Sequence, residues 1–81
     1  MNPLSPNGRR ARVRREVARI RAAWPTATVT RGIDEMHATV VIHEPASTYV
    51  IEVEPDSTRS LHVRHDIALP YAAQWQDGWD D

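Results

Sequence analysis

The chain has 81 residues, 41% of them hydrophobic and 26% charged, and a formal net charge of −1. That is a single small domain, which buries roughly 60–65% of the surface its unfolded chain exposes, and the composition is neither that of a disordered segment nor that of a membrane protein. Cysteine and lysine are both absent, which excludes disulfides, thiolate metal sites, a cysteine nucleophile and Schiff-base chemistry.

No apolar run approaches the ~18–20 residues of a spanning helix. The opening MNPLSPNGRR has no hydrophobic region ahead of its arginines and does not read as a secretory signal. Together with the lack of cysteine this gives the expectation of a cytoplasmic protein with no membrane partner. Ten arginines without one lysine, alongside abundant Ala and Val, fit a high-GC coding sequence, from a bacterium or one of its phages.

The near-zero net charge conceals a segregation. Residues 1–24 hold seven Arg against one Glu, leaving +6, whereas residues 25–81 hold three Arg against ten acids, leaving −7. Such asymmetry marks either an interaction surface or two parts that neutralise each other.

In chain order, residues 1–8 form an irregular lead, broken by Pro3, Pro6 and Gly8. Ser5, with Pro6 at the first helical position, or Asn7 would cap a helix here. From Arg9 to Trp24 the apolar residues Val13, Val17, Ile20 and Trp24 are spaced by four, three and four, which aligns them on one stripe of an α-helix. Arg12, Arg15 and Arg19 fall on or near the side away from Val17 and are candidate partner-binding residues. Pro25 ends the helix, because it disfavours helical backbone at its predecessor and has no N–H to donate.

The next part of the chain holds four alternating runs. Thr26–Arg31 places Ala27 and Val29 on one face, and Gly32–Glu35 reads as a turn. Met36–Glu44 places Met36, Ala38, Val40 and Ile42 inward and His37, Thr39, Val41 and His43 outward. After Pro45-Ala46-Ser47, Tyr49–Glu54 turns Tyr49, Ile51 and Val53 inward and Val50, Glu52 and Glu54 outward. Pro55-Asp56-Ser57 is a further turn, and Ser60–His65 is a weaker run with Leu61 and Val63 expected inward. Short strands joined by short connections pair as antiparallel neighbours. The expected fold is therefore α+β, with one N-terminal amphipathic helix packed on a three- to four-stranded antiparallel meander and a single domain spanning residues 9–70.

Residues 71–81 read as an acidic-aromatic tail. Pro70 would open a short C-terminal helical turn stopped at Gly78, and the four-residue steps Tyr71, Trp75, Trp79 would bring those rings near one helical face. Trp75 and Trp79 are candidate partner-binding residues, docked on the core edge or offered to a basic groove.

The arginine-rich helix ending in Trp24-Pro25, the strand YVIEVEPD opened by Tyr49, and the strand LHVRH running toward Ile67-Ala68-Leu69-Pro70 together resemble the front half of the ubiquitin-conjugating-enzyme fold and its non-catalytic RWD relatives. The resemblance covers about Arg9–Pro70 and lies in the order of elements. It implies a helix on a four-stranded meander that serves as a truncated protein-binding scaffold. The consecutive prolines, the asparagine-cysteine segment and the C-terminal helices of that family are absent here, so thioester transfer is not implied. The helix–strands–helix order is also similar to that of double-stranded RNA-binding domains, but Pro70–Trp79 carries none of their basic charge.

Little in the chain carries catalysis. If the strands formed a simple meander, Val41, Glu52 and His62 would share one outward row, and His43, Glu52 and His62 would approach a two-imidazole, one-carboxylate zinc set. The plainer reading is surface histidines. His65-Asp66 matches the metal dipeptide of certain phosphohydrolases without their further ligands. Glu52, Glu54 and Asp56 form a solvated strand face with no cleft for acid/base work. Only three glycines are present, too few for a phosphate-cradling loop. The expectation is a non-enzyme without metal or cofactor. It would be a small protein-interaction module, a bacterial or phage modulator of a host protein, holding another protein or a second copy of itself. The alternative is a nucleic-acid binder that uses the arginines of residues 9–21, against which the acidic remainder weighs.

Overall fold

The structure, a computed structural model, describes residues 6–65 and the backbone of residues 73–77. Among the described residues one helix, α1 (Pro6–Ala23), precedes five strands: β1 (Thr28–Arg31), β2 (Ala38–His43), β3 (Ser47–Val53), β4 (Thr58–Arg64) and β5 (Ala73–Asp77). The strands pair antiparallel in chain order, β1-β2-β3-β4-β5. This is the expected α+β class.

Pro6 opens α1, where its missing N–H is one of those the first turn leaves unbonded anyway. At the other end the Trp24 amide still bonds to the Ile20 carbonyl at 2.8 Å, and Ala27 N closes a turn onto Trp24 O at 3.0 Å across Pro25. The apolar stripe is buried as its spacing predicts: Val13, Val17 and Ile20 are at most 2% exposed. They pack on Ala38, Val40 and Ile42 of β2 and Ile51 and Val53 of β3, with Ala27 beneath and Trp24, Val29 and Tyr49 at the margin. Burying side chains of this size contributes about 1.5–3 kcal/mol each before the cost of ordering the chain.

Two strand expectations need correction. Ala73–Asp77 is the fifth strand, with Ala73 opposite Val63, Trp75 opposite Leu61 and Asp77 opposite Arg59. Over these residues it is not a helical turn; the remainder of the expected turn lies outside the described residues. One or two helical turns gain little in isolation, whereas a strand here bonds to the ladder edge of β4 that would otherwise stay open.

The second correction concerns β4. Ile51 pairs with Ser60 and Tyr49 with His62, so Thr58, Ser60, His62 and Arg64 face the helix side. Leu61 and Val63, expected inward, lie on the opposite face. An alternating strand does not say which of its faces looks at the core, and a shift of one residue in register exchanges them.

Candidate functional site

The sheet has two unlike faces. Over β2 and β3 the helix side is sealed by α1; beyond them, over β4, it is polar. There Tyr49 stacks on His62 with ring centroids 4.2 Å apart and planes 5° from parallel, and Trp24 lies 6.3 Å from Tyr49. Trp24 Nε1 and His62 Nε2 are both buried with no hydrogen-bond partner.

The opposite face, open among the described residues, is apolar along its middle. The register Thr28–Val41–Val50–Leu61 runs straight across four strands and reaches β5 at the Trp75 position. Val63 adjoins this row beside Leu61. Val41, Val50, Leu61 and Val63 are each half-buried. Polar residues sit on either side of the row. On one side Glu52 accepts from Thr39 Oγ1 at 3.1 Å through both carboxylate oxygens and pairs with His37 Nε2, with Arg59 directly opposite Glu52 in the register. On the other side Thr48 Oγ1 lies 3.4 Å from His43 Nδ1 and 2.9 Å from His65 Nε2.

The arginines of α1 divide into those already engaged and those still open. Arg10 Nε donates to the Asp34 carbonyl at 3.0 Å, and Arg14 lies 3.6 Å from Glu35. Both acids belong to the β1–β2 turn, which is held by Gly32 N to His37 O and by Asp34 Oδ1 accepting from Met36 N, and where Glu35 takes a φ of 59°. Arg19 is forked onto Glu16, with Nη2 2.5 Å from Oε1. The charge segregation of the sequence is thus in part internal neutralisation. Arg12, Arg15 and Arg19 are all exposed and together line a shallow groove between the helix flank and the β3–β4 turn, where Glu16, Glu54 and Thr58 complete the wall. Two carboxylates in that groove blunt its attraction for a phosphate backbone.

Of the residues singled out from sequence, Arg12, Arg15 and Arg19 therefore share a surface. Trp75 takes its place in β5 opposite Leu61, and Trp79 lies outside the described residues. The zinc set does not assemble. His43 stands opposite Thr48 and Glu52 opposite Thr39 and Arg59, while His62 faces the helix side. Among the described residues no three His, Cys, Asp or Glu side chains come within reach of one ion. What sequence reading missed is the apolar row. Its signal was present in Val41 and Val50, β-branched residues at outward positions of two neighbouring strands; Leu61 joins them only once the register is known. No helix among the described residues is long and apolar enough to cross a membrane. No known protein family, characterised protein or solved structure matches the chain.

Proposed function

We propose that this chain is a non-catalytic protein-interaction module that docks its partner on the sheet face opposite the helix. The observation that carries this reading is the row Val41–Val50–Leu61, with Val63 beside it, on the face that α1 does not cover. An apolar centre rimmed by polar groups is a form that protein contacts take, and here His37, Thr39, Glu52, His43 and Thr48 supply the rim.

The nucleic-acid reading rests on Arg12 and Arg15, which line the groove. It is the weaker of the two, because Glu16 and Glu54 line the same groove and no aromatic ring is interleaved with the arginines to stack on bases. One comparison separates the readings. Leu61→Arg is expected to abolish recovery of a protein partner from nuclease-treated host lysate, while Arg12→Gln, Arg15→Gln and Arg19→Gln combined leave that recovery intact. Recovery that vanishes on nuclease treatment and in the triple variant, but survives Leu61→Arg, would reverse the choice.

A further inference from the structure

We propose that the occupant of the open face is a second copy of this chain, packed sheet on sheet about a two-fold axis that runs along the Thr28–Val41–Val50–Leu61 row. This rests on the reading of that face as a docking surface and goes further by naming what covers it.

Three features of the molecule point to a second copy. The first is shape. The row crosses the strands in straight register, so a rotation of 180° about an axis parallel to it lays each residue of the row over its own counterpart in the second copy. An isologous pair needs such a self-complementary patch. The second is area. Five strands about 4.8 Å apart, each of about six residues at ~3.3 Å, make a face of about 20 by 20 Å. Two such faces bring together roughly 800 Å² of projected sheet, and the relief of the side chains carries the accessible area toward the lower end of the ~1,200–2,000 Å² of specific interfaces.

The third feature is charge. Two sheets facing each other admit only axes lying in the plane between them. An axis along β3 would stack the Glu52 carboxylate on its own copy and destabilise the pair. An axis along the row reverses strand direction instead. Glu52 of one copy then lies across from Thr48 of the other, the hydroxyl flanked by the His43 and His65 imidazoles; Thr39 lies across from His43, and Arg59, beside Glu52 in the register, lies across from Val63. The carboxylate meets hydrogen-bond donors in place of a second carboxylate.

The absence of cysteine makes the test clean, because any introduced thiol is the only one in the chain. Sheets packed face to face stand about 10 Å apart, too far for a disulfide but within reach of a short bismaleimide. The parent is expected to sediment as a dimer, and Leu61→Arg as a monomer of half that mass with an unchanged far-ultraviolet circular dichroism spectrum. Val50→Cys is expected to cross-link to itself. Thr39→Cys is expected to cross-link to His43→Cys in a mixed sample but not to itself, and Arg15→Cys on the helix to give no cross-link. Should Leu61→Arg fail to fold, the cysteine variants, which leave the apolar row almost intact, still decide.

Self-linking of Thr39→Cys in preference to the mixed pair overturns the axis. A parent that stays monomeric at every concentration overturns the dimer. If that monomer still needs Leu61 to capture another protein, the interaction face survives and only its occupant changes; if capture ignores Leu61, both readings fall. A chain ended after Asp77 that dimerises where the full chain does not would assign the face to residues 78–81 and overturn the second copy.

Discussion

Ile20→Ala and Ile33→Ala delete the same atoms from opposite environments. Ile20 is fully buried in the seam between α1 and the sheet, whereas Ile33, in the β1–β2 turn, is at 107% of its reference exposure. At Ile20 the substitution removes the transfer free energy of the lost carbons and leaves a cavity walled by β2 and β3, for about 3 kcal/mol within the usual 2–5 kcal/mol range. A chain of this length has a total stability on the order of 4–12 kcal/mol, so the loss is a large share of it. For a domain of this size each kcal/mol is about 4–8 °C in Tm, which puts the fall at roughly 12–24 °C. Ile33→Ala removes no packed contacts and is expected within about 0.5 kcal/mol of the parent. Thermal melts followed by circular dichroism, with urea titrations to confirm an unchanged slope, read both. Equal shifts at the two positions would refute the packing of α1 on β2 and β3.

Other expected outcomes rest on single features. Val17→Asp places an unpaired carboxylate at a site 1% exposed and is expected to abolish the cooperative melt, since that burial costs several kcal/mol. Glu35 holds a φ of 59°, a left-handed conformation costing a side-chain-bearing residue about 1–2 kcal/mol. Its half-exposed pair with Arg14 at 3.6 Å returns at most ~1 kcal/mol, so Glu35→Gly is expected to raise Tm by a few degrees. A fall would show the Arg14 pair to be the stronger term. Arg12→Gln, Arg15→Gln and Arg19→Gln together are expected to shift Tm by no more than several degrees, because the Arg19–Glu16 pair on the helix surface is worth ~0–1 kcal/mol and Gln is a comparable helix former; a melt lowered well beyond that would mean the groove beside Glu54 is structural.

The helix was legible because its signal is redundant. Four apolar residues at helical spacing, a proline at the start and another just past the end all agree, and the stripe they define is the one found buried. The inward faces of β2 and β3 were legible for the same reason, since Val40, Ile42, Ile51 and Val53 alternate with residues that are more polar on average. β4 and β5 were not. In the run Thr58–Arg64 both alternating sets are compatible with a strand, and only the pairing of Ile51 with Ser60 decides that the apolar set points away from the helix. In Ala73–Asp77 the pattern that decides strand over helix is not in the segment at all but in the unpaired edge of β4 that it joins.

The same dependence on pairing explains why the candidate surface stayed hidden. Val41 and Val50 read from sequence only as outward-facing residues, and single exposed apolar side chains are ordinary. Their meaning changes when Leu61 is brought alongside, because three adjacent strands then present one continuous strip. A polar sheet face on this side would need only β-branched threonines of the kind found at Thr28, Thr30, Thr39 and Thr48. Valine and leucine placed among them gain nothing from water, and the helix that could bury them lies on the other side. The histidines obey the opposite logic. A meander alignment would have set His43 and His62 beside Glu52, yet register sends His62 to the helix side and leaves His37 and His43 on opposite sides of the apolar row. Each becomes a hydrogen-bonding border of a hydrophobic surface, bonded to Glu52 and Thr48 respectively.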